Sequence, residues 1–165
     1  MARKALPFFI VTVFAVVTLH APTASSCSCI KSGSGLGALD FYDTAFLGEV
    51  ITIEDLLVPT EGGGYHLSRA VLFRVMESWK GKSAPVILVY TGNGAGDCGY
   101  SFEKGKTYLV FAERLLKTER KKLHEDKQAL YTGICTHTEP ESKAEAVIRE
   151  LRAHRSSVTH VWPSW

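Results

Sequence analysis

Apolar residues recur along the chain in the patterns that predict β-strands. Five short segments are rich in β-branched and aromatic residues and are separated by glycine-containing or charged stretches: residues 44–54, 65–78, 85–91, 107–112 and 130–135. In the second segment, Val71, Phe73 and Val75 fall on one face, because side chains alternate along a strand. Gly48 interrupts the first segment, as glycine often does at a bulge or a barrel corner. The pattern predicts a mainly β protein.

One helix and three connecting segments complete the pattern. Four apolar residues have the i, i+3, i+4, i+7 spacing of one helical face: Ala144, Val147, Ile148 and Leu151. Ser142 and Glu145 fit a capping box at the start of this helix. We expect a short helical turn over residues 38–42, a loop over residues 55–64, and a solvated hairpin or short helical excursion over the charged residues 113–128. Five strands and one helix predict a small barrel with the helix packed against it.

The first 26 residues have the organisation of a secretory signal peptide. A short basic opening is followed by an uncharged apolar run over residues 5–19 and then by small residues. This run is shorter than the roughly 20 residues that a membrane-spanning helix needs. Cleavage after Ser26 places small residues, Ala24 and Ser26, at the two positions that the processing enzyme reads, and it makes Cys27 the new N-terminus. A bacterial lipoprotein signal also ends before a cysteine, so lipidation of Cys27 stays open.

The predicted signal peptide and the charge balance set the expected location and exclude a class of partner. We expect the protein to be secreted, or to reach the periplasm or cell surface if the source is bacterial. The chain has 19 Lys and Arg against 17 Asp and Glu. A nucleic-acid-binding protein normally has a strong basic excess or patch, so nucleic acid is not an expected partner. The whole chain has 45% hydrophobic residues. We expect its exported part to form one domain, residues 27–153, followed by a tail of unassigned role, residues 154–165.

The motif content gives no support to an enzyme. The chain has neither the H-E-x-x-H pattern of zinc proteases nor the G-x-S-x-G pattern around a nucleophilic serine. Its six histidines stand at no spacing typical of metal ligands. His137 lies close to a cysteine, and we interpret it as an ordinary strand-end residue. The sequence therefore predicts a protein without catalytic residues and without a cofactor of its own.

The four cysteines predict two disulfides. All four follow the predicted signal peptide, and disulfides persist in exported proteins. A bond between Cys27 and Cys29 would close a ring across one residue, which strains disulfide geometry. Each of these two is therefore expected to pair with a distant cysteine, either Cys98 or Cys135, which leaves two connectivities open.

Six short motifs occur in a characteristic order over about residues 27–153. They are C-S-C at 27–29, A-F-L-G-E-V at 45–50, W-K-G at 79–81, C-G-Y-S-F at 98–102, G-K-T-Y-L-V-F-A at 105–112 and C-T-H-T at 135–138. Together they resemble the inhibitory N-terminal domain of the tissue inhibitors of metalloproteinases, a branch of the netrin-like modules. The N-terminal C-x-C followed by C-G-Y and C-x-x-T is the most specific part of the resemblance.

The resemblance implies a fold, a disulfide pairing and an activity. The implied fold is a five-stranded OB-type barrel with a C-terminal helix, and the implied disulfides are Cys27–Cys98 and Cys29–Cys135. The implied activity is that of a monomeric inhibitor of zinc metalloproteases, which engages the zinc of its target. The free amine and the carbonyl oxygen of Cys27 would chelate that zinc and displace its catalytic water.

The resemblance also implies the residues that would contact the protease. Ser28 would enter the primary specificity pocket. The contact ridge would continue along the N-terminal segment and along the loop before the second disulfide: Cys29, Ile30, Lys31, Gly94, Ala95, Gly96, Asp97 and Cys98. The predicted loop at residues 55–64 would touch the rim of the protease.

A binding module is the alternative interpretation. Related netrin-like domains serve adhesion or matrix attachment, and in them an N-terminal C-x-C is only a disulfide corner that anchors the start of the chain. Such a module would tolerate any N-terminus, including a lipid-anchored one. The animal inhibitors carry a third disulfide in this domain, which the present four cysteines do not provide.

Overall fold

The computed structural model describes residues 27–159 except positions 32, 34, 61, 82, 95 and 116–128. The predicted signal peptide, most of the predicted charged excursion and the last part of the predicted tail lie outside the described residues, and so does Ala95. Among the described helices, none combines the length and the apolar character that a membrane span requires.

The described chain is built from strands followed by a C-terminal helix. In chain order the elements are a 3-10 helix Gly35–Asp40, β1 Thr44–Pro59, β2 Tyr65–Lys80, β3 Val86–Gly92, β4 Thr107–Arg114, β5 Leu130–Tyr131, β6 Glu139–Pro140 and α1 Glu141–Thr159. Five strands pair in a closed ring, in the order β1–β2–β3–β5–β4 and back to β1. The β3–β5 pair is parallel, and the other pairs in the ring are antiparallel. The predicted mainly β, barrel-like OB-type fold with a C-terminal helix is confirmed.

The largest differences from the predicted strand ends are in β1 and β5, whereas the ends of β2, β3 and β4 differ by at most two residues. β1 continues to Pro59, so the predicted loop at residues 55–64 is wrong over its first half. These residues pair with β2 in a long hairpin, where Asp55 also forms a salt bridge of 2.8 Å with Arg69. Thr60 and Gly64 then close the turn with a backbone hydrogen bond of 2.8 Å. The fifth strand is shorter than predicted, because the chain leaves the sheet after Tyr131 and turns toward Cys135.

Two apolar clusters hold the barrel and the helix together. Inside the barrel, aromatic rings from three parts of the chain meet edge to face, with centroids 5.4 Å apart for Phe46 and Phe73 and 5.2 Å for Phe73 and Phe102. Outside it, the predicted apolar face of α1 packs on β1 and β4 around Leu47 and Phe111. The register of β1 against β2 shifts at Gly48, as expected for a bulge.

Helix α1 is longer at both ends than the sequence pattern suggests. It begins at Glu141, so Ser142 lies inside the first turn and is not the capping residue. It continues to Thr159, so the first residues of the predicted tail are helical. Arg152 and Arg155 both form salt bridges with Glu77 of β2, which fixes the C-terminal half of the helix to the barrel.

Candidate functional site: the disulfide-bonded N-terminal segment

Two disulfides attach the start of the described chain to two separate loops. Cys27 is bonded to Cys98, with the Cα atoms 5.7 Å apart, and Cys29 is bonded to Cys135, with the Cα atoms 4.9 Å apart. This is the pairing that the family resemblance implies, and it is one of the two connectivities that strain alone leaves open. The cysteines sit on either side of Ser28, so the backbone of that residue is fixed at both ends.

The N-terminal segment is exposed although its backbone is anchored. Ser28, Cys29, Ile30 and Lys31 are all solvent-exposed, and Cys27 is partly buried. Ile30 has 94% of its surface accessible, which is unusual for a large apolar side chain. Lys31 forms a salt bridge of 3.6 Å with Glu139 at the start of β6, and this contact holds the segment beyond the second disulfide. The result is a short backbone ridge with outward-facing side chains.

The loop after β3 forms a second edge beside this ridge. Gly94 and Gly96 have positive φ angles of 85° and 88°, which glycine adopts without steric cost. Gly94, Gly96 and Asp97 are exposed, whereas Cys98 is partly buried at its disulfide. The disulfide from Cys98 to Cys27 joins this loop to the ridge. The two described parts of the predicted site, residues 27–31 and the loop residues 94 and 96–98, are therefore joined by the Cys27–Cys98 disulfide.

The Asp97 carboxylate points back into its own loop. It accepts hydrogen bonds from the backbone N–H groups of Asn93 at 2.9 Å, Gly94 at 3.0 Å and Gly99 at 3.1 Å. Burial raises the pKa of this carboxyl, but the backbone N–H groups of Asn93, Gly99 and Gly94 outweigh it, so the net pKa lies below its usual value. The charged form of Asp97 is thus the one that the loop stabilises.

A cluster of buried threonines carries the loop of the other disulfide. Thr132, Thr136 and Thr138 are buried around Cys135. The Thr132 hydroxyl donates to the Phe111 carbonyl oxygen at 2.8 Å and lies 2.9 Å and 2.8 Å from the hydroxyls of Thr136 and Thr138. The backbone N–H of Phe111 donates to the Thr138 hydroxyl at 3.0 Å. This network ties the Cys135 turn to β4.

Sequence reasoning missed this threonine cluster. Its signal is the spacing T-x-x-x-T-x-T around a cysteine, at the point where the last strand of the barrel ends. Threonine is ordinary in strands, so the spacing alone does not distinguish a buried hydroxyl network from a solvated strand face. The network becomes visible only when β4 packs against the turn.

The two disulfide loops also contact each other directly. The backbone N–H of Ile134 donates to the Cys98 carbonyl oxygen at 2.9 Å. Gly133 makes this approach possible, because a Cβ atom there would lie 2.5 Å from the same oxygen. Cys98 and Cys135 are thereby held in a fixed relation. Since each is bonded to one end of the C-x-C segment, the ridge rests on a single connected support.

His137 and the tip of the β1–β2 hairpin, two features considered from the sequence, lie in different parts of the fold. The His137 ring lies 6.0 Å from the Tyr42 ring and 5.9 Å from the Phe111 ring, measured between centroids, and it packs at the barrel–helix junction. At the tip of the β1–β2 hairpin, Leu57 and Tyr65 are exposed by 71% and 70%. Within the described residues, no group of three or more His, Cys, Asp or Glu side chains is placed to hold a metal ion.

The chemistry available at the ridge lies in its backbone. Both thiols of the C-x-C segment are consumed by disulfides, so neither is free to bind a metal or to act as a nucleophile. A chain that begins at Cys27 would instead offer an amine nitrogen on its Cα atom and a carbonyl oxygen on the neighbouring carbon.

Compared with models of known protein families and with curated proteins, this chain gives no match.

Proposed function

We propose that the exported chain begins at Cys27 and inhibits zinc metalloendopeptidases by chelating their catalytic zinc. The amine nitrogen and carbonyl oxygen of Cys27 form a five-membered chelate with the metal. A catalytic zinc keeps one position open for the water that attacks the substrate, and the chelate occupies that position. An N-terminal amine has a pKa of about 7.7–8.0, so an appreciable fraction is neutral and able to bind at neutral pH.

The observation that carries this proposal is the pair of disulfides on either side of Ser28. They immobilise the backbone of residues 27–29 while leaving Ser28 exposed. A ligand that is already held in its bound conformation loses less conformational entropy on binding. The same covalent bonds withhold both thiols from the zinc, which leaves the backbone chelate as the binding group.

The exposed side chains of the ridge would supply specificity. Ser28 is small and polar and would enter the primary specificity pocket next to the zinc. Ile30 would bury an apolar surface that is 94% exposed in the free protein. Complete burial of such a side chain stabilises a complex by about 1.5–3 kcal/mol. The loop at residues 94–98 would form the second contact edge, and the hairpin tip would reach the rim.

The test compares a protein that begins at Cys27 with one that carries a single additional alanine before it. Both are assayed against a panel of secreted zinc endopeptidases, after intact-mass measurement establishes the N-terminus and two disulfides. We expect the chain with a free Cys27 amine to inhibit and the extended chain to lose inhibition, because the added peptide bond removes the basic amine. Equal thermal stability of the two proteins is the control. Equal inhibition by both would refute chelation.

The same experiment distinguishes the alternative function. A natural chain that begins upstream of Cys27, or that carries an acyl or lipid group on it, has no free amine to offer a zinc ion. The two disulfides would then be only structural cross-links, and the barrel would be a secreted or lipid-anchored binding module. The mass of the exported protein before and after reduction separates these cases.

A further inference from the structure

The loop between β3 and Tyr100 is built around one carboxylate. Asp97 accepts hydrogen bonds from three backbone N–H groups, at 2.9–3.1 Å. The carboxylate also occupies the space that a side chain would fill at position 92, where a Cβ atom would lie under 3.0 Å from it. At position 99 a Cβ atom would come equally close to the Gly92 carbonyl group. Gly92 and Gly99 therefore let the loop close tightly over Asp97.

The bond from Asp97 to Gly99 spans Cys98. It closes a short turn in which Cys98 has a φ angle of 58°, the left-handed conformation that residues with a Cβ atom avoid. Among the described residues, Cys98 is the one non-glycine residue with a positive φ angle. Such a conformation persists where its surroundings hold it in place. The Asp97 carboxylate binds backbone N–H groups on both sides of Cys98, those of Asn93 and Gly94 before it and that of Gly99 after it.

The position of Cys98 determines the position of the N-terminal segment. Its sulfur is bonded to Cys27, and its carbonyl oxygen accepts the hydrogen bond from Ile134. A different backbone conformation at Cys98 would move the disulfide and with it the backbone atoms of Cys27. The carboxylate of Asp97 thus acts on Cys27 at a distance, through one residue and one covalent bond.

We propose that Asp97 is a positioning residue, whose carboxylate sets the conformation of Cys98 and, through the Cys27–Cys98 disulfide, the placement of the Cys27 amine and carbonyl. This proposal rests on the proposed inhibition of zinc proteases. It assigns Asp97 a role different from the direct protease contact that the family resemblance implies. A carboxylate suits this role because it only accepts hydrogen bonds and has two oxygens to do so, whereas an amide offers one acceptor oxygen and a donor group.

The binding test separates positioning from contact by measuring rate constants. Asp97→Asn is compared with the unmodified protein and with Asp40→Asn, a matched change at an exposed carboxyl on the 3-10 helix. Loss of positioning reduces the fraction of molecules in the binding-competent conformation. We expect the association rate constant of Asp97→Asn to fall about 5- to 30-fold, the factor that corresponds to one or two kcal/mol. The dissociation rate constant and the Asp40→Asn protein should change less than about twofold.

Two results of this measurement would overturn the proposal. If Asp97→Asn associates at the original rate and dissociates faster, Asp97 is a contact residue, because the loss of a contact acts mainly on dissociation. If neither rate changes, Asp97 has no role in inhibition. Should Asp97→Asn fail to fold, Asp97→Ser takes its place, since its hydroxyl retains one acceptor for the Gly99 N–H.

A second readout does not depend on any protease. Amide hydrogen exchange of Gly94 and Gly99 is followed by NMR in the free proteins. We expect both amides to exchange at least about tenfold faster in Asp97→Asn than in the unmodified protein, because the carboxylate protects them. Unchanged exchange would overturn the positioning role whether or not a target is found. An unmodified protein that inhibits no zinc protease would instead reject the proposed function and leave the exchange result valid.

Discussion

The buried threonine cluster gives the sharpest test of how the Cys135 loop is held. Replacing Thr132 by valine keeps the shape and β-branching of the side chain but removes its hydroxyl. Thr132 is fully buried, and its hydroxyl lies within 2.8–2.9 Å of the Phe111 carbonyl oxygen and the hydroxyls of Thr136 and Thr138. The substitution therefore removes a shared partner from a site that water does not reach.

The size of the effect follows from this network. The Phe111 carbonyl oxygen keeps a second donor, the Thr138 hydroxyl at 3.1 Å, so it is not left unpaired. The hydroxyls of Thr136 and Thr138 each lose a neighbour but keep other partners, since Thr136 donates to the Gly133 carbonyl oxygen at 2.9 Å and Thr138 accepts from the Phe111 N–H at 3.0 Å. The change therefore removes one buried hydrogen bond without leaving a group unpaired, and such a bond contributes about 0.5–1.5 kcal/mol. We expect the free energy of unfolding of Thr132→Val to fall by about 1 kcal/mol, and Tm to fall by roughly 3–5 °C.

Urea unfolding under oxidising conditions measures this change, with both disulfides intact. The matched control is Thr52→Val, a half-buried threonine on β1 outside the cluster, which should alter the free energy of unfolding by less than about 0.5 kcal/mol. We also expect weaker inhibition by Thr132→Val, because the Cys135 turn supports the ridge. A Thr132→Val protein as stable as the control would show that the hydroxyl network does not hold the turn, and the reasoning would fail.

Three further predictions concern the loop, the ridge and the charges. Gly99→Ala should lower both Tm and inhibition, because the new Cβ atom would lie under 3.0 Å from backbone atoms of Gly92. The control Gly37→Ala should leave both unchanged, because no atom lies within 4 Å of its Cβ position. Equal Tm values for the two variants would contradict this prediction. Ile30→Ser should weaken inhibition about 10- to 100-fold with an unchanged Tm, because the side chain is 94% exposed; a full-strength variant would remove Ile30 from the interface. Hydrogen bonding to Arg152 lowers the pKa of Glu77. Burial raises the pKa of Asp97, but backbone N–H groups outweigh it and the net pKa is lowered. Both carboxyls therefore stabilise the fold at pH values above their unfolded pKa values of about 3.9–4.3, and they lose this contribution as the pH falls through the lower folded values. Urea titrations from pH 6 to 2 should show this loss, and it should be smaller in Glu77→Gln.

Much of the fold follows from local sequence pattern. Alternating apolar positions such as Val71 and Phe73 predicted the strands, and the spacing of Ala144 and Leu151 predicted the helical face that packs on the barrel. Gly48 was correctly predicted to interrupt a strand. These features are local, because the period of apolar residues reports directly on which side chains share a face. The disulfide pairing needed more, since strain excluded one connectivity and only the family resemblance distinguished the remaining two.

The tertiary structure decided what depends on contacts between distant segments. The hairpin extends to Pro59 because β2 offers partners there, although the sequence of residues 55–64 reads as a loop. The threonines around Cys135 form a network only because β4 lies beside them, and the Cys135 turn meets the Cys98 loop only because the barrel brings Ile134 to the Cys98 carbonyl oxygen. A hydrogen bond or a close approach depends on where two backbones meet, and that is set by the packing of the whole barrel and not by the residues on either side.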